Sequence, residues 1–374
     1  MLCEHFGLCG SCINTEGGYE GQLLRKVEKI KNDFKNYIKD EISIFQSPDS
    51  HYRARSEFKL WHDGDIMRYA MSRVKKDSND KGGVFFINEC PQVNEYIEAL
   101  MPKLLVEIEK YQLGSKLFGV DFLSASDGKI VVSLLYHRKL DDAWQSEATK
   151  ISNILNISII GRSRKQKVII GTDYVIETLT IDNESYQFKQ IENSFTQPNA
   201  KVNENMVTWA IKQFEHCSGD LLELYCGAGN FTIPFARKFN KILATEISKS
   251  SINAAKTNMD LNDISNVEFV RMSVEDFVQA LDGVREFRRM KEIDIKSYAL
   301  NNIFVDPPRS GMDEASCDFA ARHDTIVYIS CNPTTLLRDL ERLSQTHTVE
   351  SMALFDQFAY TNHIEMGVKL QRKF

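Results

Sequence analysis

The chain lacks the features that mark several specialised classes of protein. None of its apolar runs approaches the roughly 18 residues that a membrane-spanning helix needs. It contains no internal repeat and no low-complexity tract, and its start does not have the layout of a signal peptide. With 43% hydrophobic and 26% charged residues, the 374-residue chain is expected to be a cytoplasmic, globular protein of two domains.

The chain also lacks an excess of positive charge. Its 46 Lys and Arg residues against 52 Asp and Glu give a net charge of -6, which argues against a general polyanion binder. The basic residues are segregated, however. In residues 51–76, HYRARSEFKLWHDGDIMRYAMSRVKK, charged and uncharged residues alternate with the two-residue period of a strand. Asp63-Gly64-Asp65 within this stretch is a hairpin signal. A second group, RSRKQK, spans 162–167. Together they favour RNA, although a solvated sheet face would explain the first group equally well.

The eight cysteines are not expected to form disulfides in a cytoplasmic protein, so they indicate thiols, metal ligands or a nucleophile. Cys3, Cys9 and Cys12 have a spacing at which thiolates can converge on one metal centre. The best candidate for a fourth ligand is Cys90, because a distant Cys-Pro pair often completes an iron-sulfur site. His5 is the alternative, and it would suit zinc. Three unliganded thiols are the third interpretation.

Three regions of the chain differ in pattern. Residues 1–45 contain the cysteine-rich segment and an amphipathic helix over 19–39. Residues 46–190 mix strands with helical segments, and we interpret them as an α+β RNA-recognition domain. Residues 191–374 alternate strands and helices, as expected of an α/β catalytic domain.

The alternation in the last region predicts a doubly wound parallel sheet that is covered by helices on both faces. A helix capped by Asn199 or Asn203 begins the region. Short apolar runs predict strands at 221–224, 241–245, 267–271, 302–305 and 326–329.

Three of these strands end in polar or reactive residues. The stretches are LLELYCGAGN (221–230), NIFVDPPRSG (302–311) and TIVYISCNP (325–333). Open α/β sheets bind their ligands at the carboxyl ends of the strands. We therefore expect the three strand ends to line one crevice.

The first of these stretches predicts a nucleotide-like cofactor. Gly227 and Gly229 let the backbone turn tightly after the strand, and Glu246 at the end of the next strand can accept both ribose hydroxyl groups. The chain lacks both the GxGxxG spacing of a pyrophosphate site and a phosphate loop. S-adenosylmethionine, an adenosine cofactor without phosphates, therefore fits a Rossmann-like domain here better than NAD does.

Cys331 and Glu365 are the candidate catalytic pair. A thiolate that adds to C6 of a uracil makes C5 nucleophilic enough to attack an electrophilic methyl group. A carboxylate must then remove the C5 proton so that the cysteine is expelled. A single cysteine after a strand is more often a packing residue. The position of Cys331 beside Asp306 and the glycine loop favours catalysis, whereas His363 stays unassigned.

Six motifs of the chain are highly specific. They are SFTQPN (194–199), LLELYCGAGNF (221–231), ATE (244–246), FVDPPRSG (304–311), ISCNP (329–333) and LFDQFAYTNHIE (354–365). Together they resemble the RNA uracil-C5 methyltransferase family, and the match extends from about residue 45 onward. HYRARSEFKLWHDGD and LLYHRKLDDAW most resemble its tRNA-modifying branch.

The resemblance implies an activity and a set of functional residues. The expected reaction is methylation of uracil C5 in the T-loop of tRNA, giving ribothymidine, with transfer-messenger RNA as a further substrate. Cys331 is implied as the nucleophile and Glu365 as the proton acceptor. Phe195 would either stack on the target uracil or belong to the core. The implied cofactor contacts are Gln197, Tyr225, Asn230, Glu246 and Asp306.

The N-terminal segment departs from the tRNA-modifying branch. CEHFGLCGSC, together with Cys90, instead resembles the segment of ribosomal-RNA relatives in which four cysteines hold a [4Fe-4S] cluster. This likeness implies Cys3, Cys9, Cys12 and Cys90 as cluster ligands, and it makes 23S ribosomal RNA the alternative substrate. Neither DNA nor a membrane is expected as a partner, and nothing in the sequence demands more than a monomer.

Overall fold

The computed structural model describes residues 3–64, 66–75 and 82–373. Asp65 of the expected hairpin and Lys76 of the first basic group lie outside these ranges. Among the described residues, no helix combines the length and the apolar character that crossing a membrane requires. The described chain folds into two large sheets, a two-stranded hairpin and the helices that pack on them.

The structure assigns the following elements, numbered along the chain. The strands are β1 (Ser43–Phe45), β2 (Arg55–Asp63), β3 (Ile66–Ser72), β4 (Val84–Ile87), β5 (Leu117–Ser124), β6 (Ile130–Tyr136), β7 (Ser158–Ser163), β8 (Gln166–Ile170), β9 (Tyr174–Ile181), β10 (Glu184–Ile191), β11 (Leu221–Leu224), β12 (Ile242–Thr245), β13 (Val267–Val270), β14 (Asn302–Val305), β15 (Thr325–Ser330), β16 (His347–Phe355) and β17 (Glu365–Arg372). The helices are α1 (Gly18–Asp33), α2 (Glu95–Lys110), α3 (Asp142–Leu155), α4 (Ala200–Lys212), α5 (Thr232–Phe235), α6 (Lys249–Leu261), α7 (Val274–Leu281), α8 (Glu314–Ala320) and α9 (Pro333–Leu343).

The larger sheet has eight strands in the order β1-β16-β17-β15-β14-β11-β12-β13. Strands β11 to β15 pair in parallel. β17 is antiparallel to both of its neighbours, β15 and β16. Side chains along β14 alternate between two apolar cores, with Ile303 and Val305 in one and Phe304 in the other. Both faces of the sheet are therefore covered, which confirms the expected α/β fold class. The prediction of a parallel sheet was wrong for one end of it, because β16 and β17 are joined by a loop and pair antiparallel.

Turn chemistry fixes where the strands of this sheet end. β14 stops at Val305 because Pro307 and Pro308 follow, and a proline cannot donate to a strand ladder. β15 ends at Ser330, and Pro333 occupies the first turn of α9. The functional motifs consequently lie at the carboxyl edge of the sheet.

The second sheet has seven strands in the order β4-β3-β2-β5-β6-β7-β8. Its strands pair antiparallel except β6 and β7, which are parallel and connected through α3. On β2, Ser56, Phe58 and Leu60 are buried, whereas Glu57 and Lys59 are exposed. The charged residues thus share the outer face of this strand, as the alternation predicted.

The N-terminal helix packs on the larger sheet. Leu23, Val27 and Ile30 of α1 are buried in the same core as β14 and β15. α1 ends at Asp33, so the predicted helix over 19–39 is too long. Beyond its end a further turn continues the packing, because the amide of Ile38 donates to the carbonyl of Phe34. β1 then adds an edge strand to the larger sheet by pairing with β16.

A buried ion pair joins α1 to the loop between β16 and β17. Lys26 Nζ lies 2.6 Å from Asp356 Oδ1 and 2.9 Å from the carbonyl oxygen of Phe358. Lys26 is 3% exposed and Asp356 is fully buried. Gln22 Nε2 donates to the second carboxylate oxygen of Asp356 at 2.7 Å. Both charges are therefore neutralised and hydrogen-bonded inside the protein.

Replacing Lys26 with methionine should lower the free energy of unfolding by about 3–5 kcal/mol, because it leaves the buried carboxylate of Asp356 without its cation. The measurement is urea denaturation followed by circular dichroism. Lys29→Met is the matched control, since Lys29 lies on the same helix and pairs with Asp33 on the exposed surface. The control variant should lower the free energy of unfolding by less than about 1 kcal/mol. Equal losses for the two variants would contradict the prediction.

Candidate active site

A cavity of about 460 Å³ opens at the carboxyl ends of β11, β14 and β15. A cavity of this size suits a small ligand that is largely enclosed. Six of the seven residues expected in the cofactor and catalytic sets line it: Gln197, Tyr225, Asn230, Asp306, Cys331 and Glu365. The three strand ends therefore form one crevice, as the sequence predicted, whereas the roles of the individual residues stay predictions.

The turn after β11 brings the backbone close to this cavity. Tyr225 has φ +61°, which a residue with a side chain adopts rarely. Gly227 and Gly229 also have positive φ, and they let the chain turn without a steric penalty. Gly227 and Ala228 both line the cavity. Backbone strain of this kind concentrates at functional sites.

Glu246 does not line the cavity wall itself. It follows β12, and its carboxylate accepts hydrogen bonds from the amide of Gly227 at 3.1 Å and from the amide of Ser248 at 2.7 Å. The carboxylate is thus fixed against the glycine turn. Each carboxylate oxygen keeps accepting capacity for a ligand hydroxyl group.

The two amide side chains of the expected cofactor set are both held by other amides. Asn230 exchanges two hydrogen bonds with the buried Asn203, at 2.8 and 2.9 Å. Gln197 Oε1 accepts from Gln357 Nε2 at 2.9 Å. Asn203 was predicted only as a candidate cap of α4, whose cap in the structure is Asn199. Neither its contact with Asn230 nor that of Gln357 with Gln197 could be predicted, because the partners lie 27 and 160 residues away.

Three carboxyl groups line the cavity, and burial raises the pKa of each. The pKa of Asp306 rises to about 7. Burial, together with the nearby Asp306, raises the pKa of Glu223 to about 8. For Glu365 the same two causes outweigh the lowering by Arg309 and raise the pKa to about 8. The free site therefore keeps most of these groups protonated at neutral pH.

Glu223 is a site residue that the sequence reasoning missed. It lies in the middle of β11, it is 1% exposed, and its Oε2 has no hydrogen-bond partner in the described part of the chain. A buried carboxylate oxygen without a partner is costly. Thr232 lies near the same carboxyl group and lowers its pKa, but less than burial raises it. The signal was present in the sequence as an acidic residue inside an otherwise apolar strand.

Cys331 follows β15 directly and is half-buried in the cavity wall. Burial, with the nearby carboxyl groups of Glu365 and Asp306, raises the pKa of its thiol to about 11. Arg309 acts in the opposite direction. The free site therefore holds a protonated thiol, and positive charge brought by a ligand would favour the thiolate.

A second cavity of about 610 Å³ adjoins the first. Ser194, Phe195, Thr196 and Phe358 line both. Phe195 is 78% exposed, so its ring belongs to the surface between the cavities and not to the core. The guanidinium of Arg53 lies 5.9 Å from the centre of the Phe358 ring. The shared wall is thus aromatic with a cation beside it, which suits an unstacked base.

The four cysteines that were predicted as metal ligands line this second cavity. Cys3, Cys9, Cys12 and Cys90 are free thiols there. Burial and then the neighbouring thiols raise the pKa of Cys12 to about 12. Within residues 3–64, 66–75 and 82–373, no three His, Cys, Asp or Glu side chains form a group that could hold a metal ion. The expectation of a metal centre thus stays a prediction.

The second basic group is partly neutralised. It forms the hairpin of β7 and β8, where Arg162 pairs with Glu192 at 2.5 Å and Lys167 pairs with Asp173 at 2.7 Å. Arg164 and Lys165 at the turn have no ion pair among the described residues. The sequence overstated this patch because the two neutralising carboxylates lie beyond the basic run.

The fold and the cavity define a class of enzyme. A doubly wound sheet whose glycine turn, acidic strand end and Asp-Pro-Pro turn meet at one site is typical of methyltransferases that use S-adenosylmethionine. Residues 18–373 match the family described as tRNA (Uracil-5-)-methyltransferase, and the chain belongs to that family.

Proteins of known name agree with this assignment. The chain is 63% identical over 374 residues to the tRNA/tmRNA (uracil-C(5))-methyltransferase of Sulfurimonas denitrificans, and the match covers 100% of both chains. It is 49% identical over 376 residues to the protein of the same name from Sulfurovum sp., again over 100% of both.

A solved structure has the same fold. It is the Pyrococcus abyssi tRNA (uracil-54, C5)-methyltransferase in complex with S-adenosyl-L-homocysteine, which superposes with a TM-score of 0.70 at 21% identity. The superposition covers 97% of this chain and 86% of the other.

Proposed function

We propose that this chain transfers a methyl group from S-adenosylmethionine to C5 of a uracil in the T-loop of tRNA, and that transfer-messenger RNA is a further substrate. One observation carries the proposal: Cys331, Asp306 and Glu365 line the same cavity as the glycine turn after β11. The relatives that match over the whole of both chains bear the name of this activity. We also propose that the enzyme acts in the cytoplasm, where tRNA is processed, and that it acts as a monomer.

The residues of the first cavity fit S-adenosylmethionine. The unpartnered Oε2 of Glu223 and the raised pKa values of Glu223 and Asp306 fit a ligand that carries positive charge. Gln197, Tyr225 and Asn230 would hold it together with Asp306, and Glu246 would accept its ribose hydroxyl groups. When bound, it supplies an electrophilic methyl group.

Cys331 activates the uracil. The thiol first loses its proton to solvent, which the positive charge of a bound ligand favours. The thiolate sulfur then forms a bond to C6 while the C5=C6 electron pair moves toward the C4 carbonyl oxygen, so C5 becomes nucleophilic. C5 would then take the methyl group that the cofactor supplies, as the bond between that group and the cofactor's sulfur breaks. At this stage C5 carries both the methyl group and its original hydrogen.

Glu365 completes the reaction. Its carboxylate takes the C5 proton, the C5=C6 double bond forms again, and the bond between C6 and Cys331 breaks. The raised pKa of Glu365 makes it a stronger base than an exposed glutamate. Phe195 and Phe358 would stack on the extruded base at the mouth of the cavity.

The test is transfer of labelled methyl groups to unmodified tRNA and, in parallel, to unmodified 23S ribosomal RNA, followed by digestion to locate the label. Label as 5-methyluridine in the tRNA T-loop is the expected result. Label found only in ribosomal RNA would overturn the substrate but keep the chemistry. That second substrate is favoured by one observation, the gathering of four cysteines at the second cavity.

Cofactor binding should release protons. In the free site the pKa is about 7 for Asp306 and about 8 for Glu223 and Glu365. A cation in the cavity stabilises the three carboxylates and lowers these pKa values. Because these groups must lose protons to pair with the ligand, affinity should fall as pH is lowered from about 8 to 6, by up to tenfold per pH unit for each proton released.

Titration calorimetry in buffers of different ionisation enthalpy measures this release. Glu223→Gln should bind with fewer protons released than the unaltered protein. Glu350→Gln is the control, because Glu350 lies on β16 and pairs with Lys369 outside the cavity. A heat of binding that does not depend on the buffer would count against the prediction.

We further propose that Cys3, Cys9, Cys12 and Cys90 hold a [4Fe-4S] cluster. The support for this proposal is that four free thiols line one cavity, and four cysteine thiolates are the ligand set of such a cluster. No step of the reaction is assigned to it. Protein purified without oxygen should contain about four irons per chain, and Cys90→Ser should lose them. Anaerobic protein without iron would refute the proposal, and stoichiometric zinc would favour the alternative with His5.

A further inference from the structure

A buried set of hydrogen bonds runs from the N-terminal helix to the cofactor cavity. It begins with Gln22 and Lys26 on α1, which hold both carboxylate oxygens of Asp356. It continues through the next residue, Gln357, to Gln197 in the cavity wall. Gln22, Asp356 and Gln357 are completely buried. Contacts between such distant parts of the chain are made only in the folded protein.

The backbone around Gln357 is fixed on both sides. The amide of Asp356 donates to the carbonyl oxygen of Phe45 on β1 at 2.9 Å. The carbonyl oxygen of Gln357 lies 3.5 Å from Asn199 Nδ2, and that of Phe358 accepts from Lys26 Nζ. The side chain of Gln357 therefore projects from a segment that has little freedom to move.

The bond between the two glutamines decides which end of the Gln197 amide is free. Gln357 Nε2 donates, so Gln197 Oε1 is engaged as the acceptor. A carboxamide has its donor and acceptor at opposite corners of one plane. With its oxygen turned to Gln357, Gln197 is left with its N–H groups for a ligand in the cavity.

We infer that Gln357 is a positioning residue that holds Gln197 as a hydrogen-bond donor toward the carboxylate of the cofactor's amino-acid end, with the Gln22–Lys26–Asp356 contacts fixing Gln357 in place. The inference rests on the proposed use of S-adenosylmethionine. Its carboxylate is the strongest acceptor on that molecule, and an N–H donor held in advance costs no ordering when the ligand binds.

The inference separates two ligands that differ only at this end. S-adenosylhomocysteine carries the amino-acid carboxylate, whereas 5′-methylthioadenosine keeps the adenosine and the sulfur but lacks that group. If Gln197 loses its orientation, the affinity for S-adenosylhomocysteine should fall, whereas the affinity for 5′-methylthioadenosine should stay almost unchanged. A general loss of cavity structure should weaken both.

The main variant is Gln357→Glu, whose carboxylate only accepts and therefore draws the Gln197 N–H groups toward itself. Its affinity for S-adenosylhomocysteine, measured by calorimetry, should fall about 10- to 100-fold, while 5′-methylthioadenosine should bind within about twofold of the unaltered protein. Gln357→Met, which removes the donor without adding charge, should show the same selectivity with a loss of about 3- to 10-fold. If the glutamate variant fails to fold, the two affinities of the methionine variant still test the inference.

Gln371→Glu is the matched control. Gln371 accepts from Thr325 Oγ1 at 3.0 Å near the far end of β17, about 20 Å along the strand from Glu365 at 3.3 Å per residue. It should leave both affinities unchanged. The inference would be overturned if the Gln357 variants lost affinity for both ligands equally, or lost affinity for neither. Failure of the unaltered protein to bind S-adenosylhomocysteine would instead overturn the proposed cofactor.

Discussion

Replacing Cys331 with alanine is expected to abolish methyl transfer, with a fall in turnover of roughly 10⁴-fold or more. The size of the effect follows from the electronics of the base. C5 of an intact uracil is too weak a nucleophile to take a methyl group, and only a covalent bond at C6 raises its reactivity. In the part of the chain that the structure describes, no other thiol at this end of the sheet can replace the missing one, because Cys226, which also lines the cavity, is buried within the turn after β11.

RNA that contains 5-fluorouridine separates the covalent step from turnover. Fluorine at C5 cannot be removed as a proton, so the bond between Cys331 and C6 should persist after methyl transfer. The unaltered enzyme should then form a protein–RNA species that survives denaturing electrophoresis, and Cys331→Ala should form none. An undiminished species in the variant would remove Cys331 from its proposed role.

The control for Cys331→Ala is a cysteine near the other end of β15. Cys217 is half-buried and its sulfur lies 3.5 Å from Thr325 Oγ1, at the start of the strand that Cys331 follows. Cys217→Ala should keep full activity and full adduct formation. If both variants lost activity together, the loss would report damage to β15 and not the absence of a nucleophile.

The parts of the fold that the sequence predicted well are those set by local chemistry. The strands at 221–224 and 302–305 agree with β11 and β14. Short apolar runs followed by glycine or proline leave little choice of where a strand ends. Because the motifs follow these strand ends directly, their gathering at one edge could also be predicted.

The parts that could not be predicted depend on partners far along the chain. Lys26 and Asp356 are 330 residues apart, and nothing in the amphipathic pattern of α1 distinguishes this lysine from its exposed neighbours. The same holds for Asn203, whose pairing with Asn230 exists only once α4 lies beside the glycine turn. Charge neutralisation is equally non-local, as the pairing of Arg162 with Glu192 shows.

The packing of the N-terminal segment has a consequence for the domain boundaries. We predicted a separate region over residues 1–45, yet α1 shares a core with β14 and β15, and β1 extends the same sheet. The hairpin of β9 and β10 likewise packs with α4 in the other core of that sheet. We therefore propose that the methyltransferase unit includes these segments, and that the seven-stranded sheet forms the recognition unit.

The closing step of the reaction gives the second large effect, because Glu365→Gln should stop the enzyme after methyl transfer. Glutamine matches glutamate in size but cannot accept the C5 proton, so the methylated base stays bound to Cys331. Turnover should fall about 10²- to 10⁴-fold, the usual contribution of a general base. With ordinary tRNA, the variant should accumulate the same denaturation-resistant species that only fluorinated RNA traps on the unaltered enzyme.

The pH dependence of the unaltered enzyme gives an independent reading of the same carboxylate. Glu365 must be deprotonated to act, and burial with the nearby Asp306 raises its pKa to about 8 in the free site, despite Arg309. Single turnover at saturating cofactor should therefore fall as pH is lowered, with a midpoint below about 8, because the bound cation favours the carboxylate. Below that midpoint the unaltered enzyme should begin to accumulate the adduct seen with Glu365→Gln.

Two further variants separate this role from a structural one. Glu350→Gln, on the neighbouring strand β16 and outside the cavity, should turn over normally and trap nothing. The double variant with Cys331→Ala and Glu365→Gln should trap nothing either, since the adduct needs the thiol. Free 5-methyluridine made at the normal rate by Glu365→Gln would show that another group takes the proton. Asp306 would be the next carboxylate to test, because it lines the same cavity and its pKa is raised to about 7.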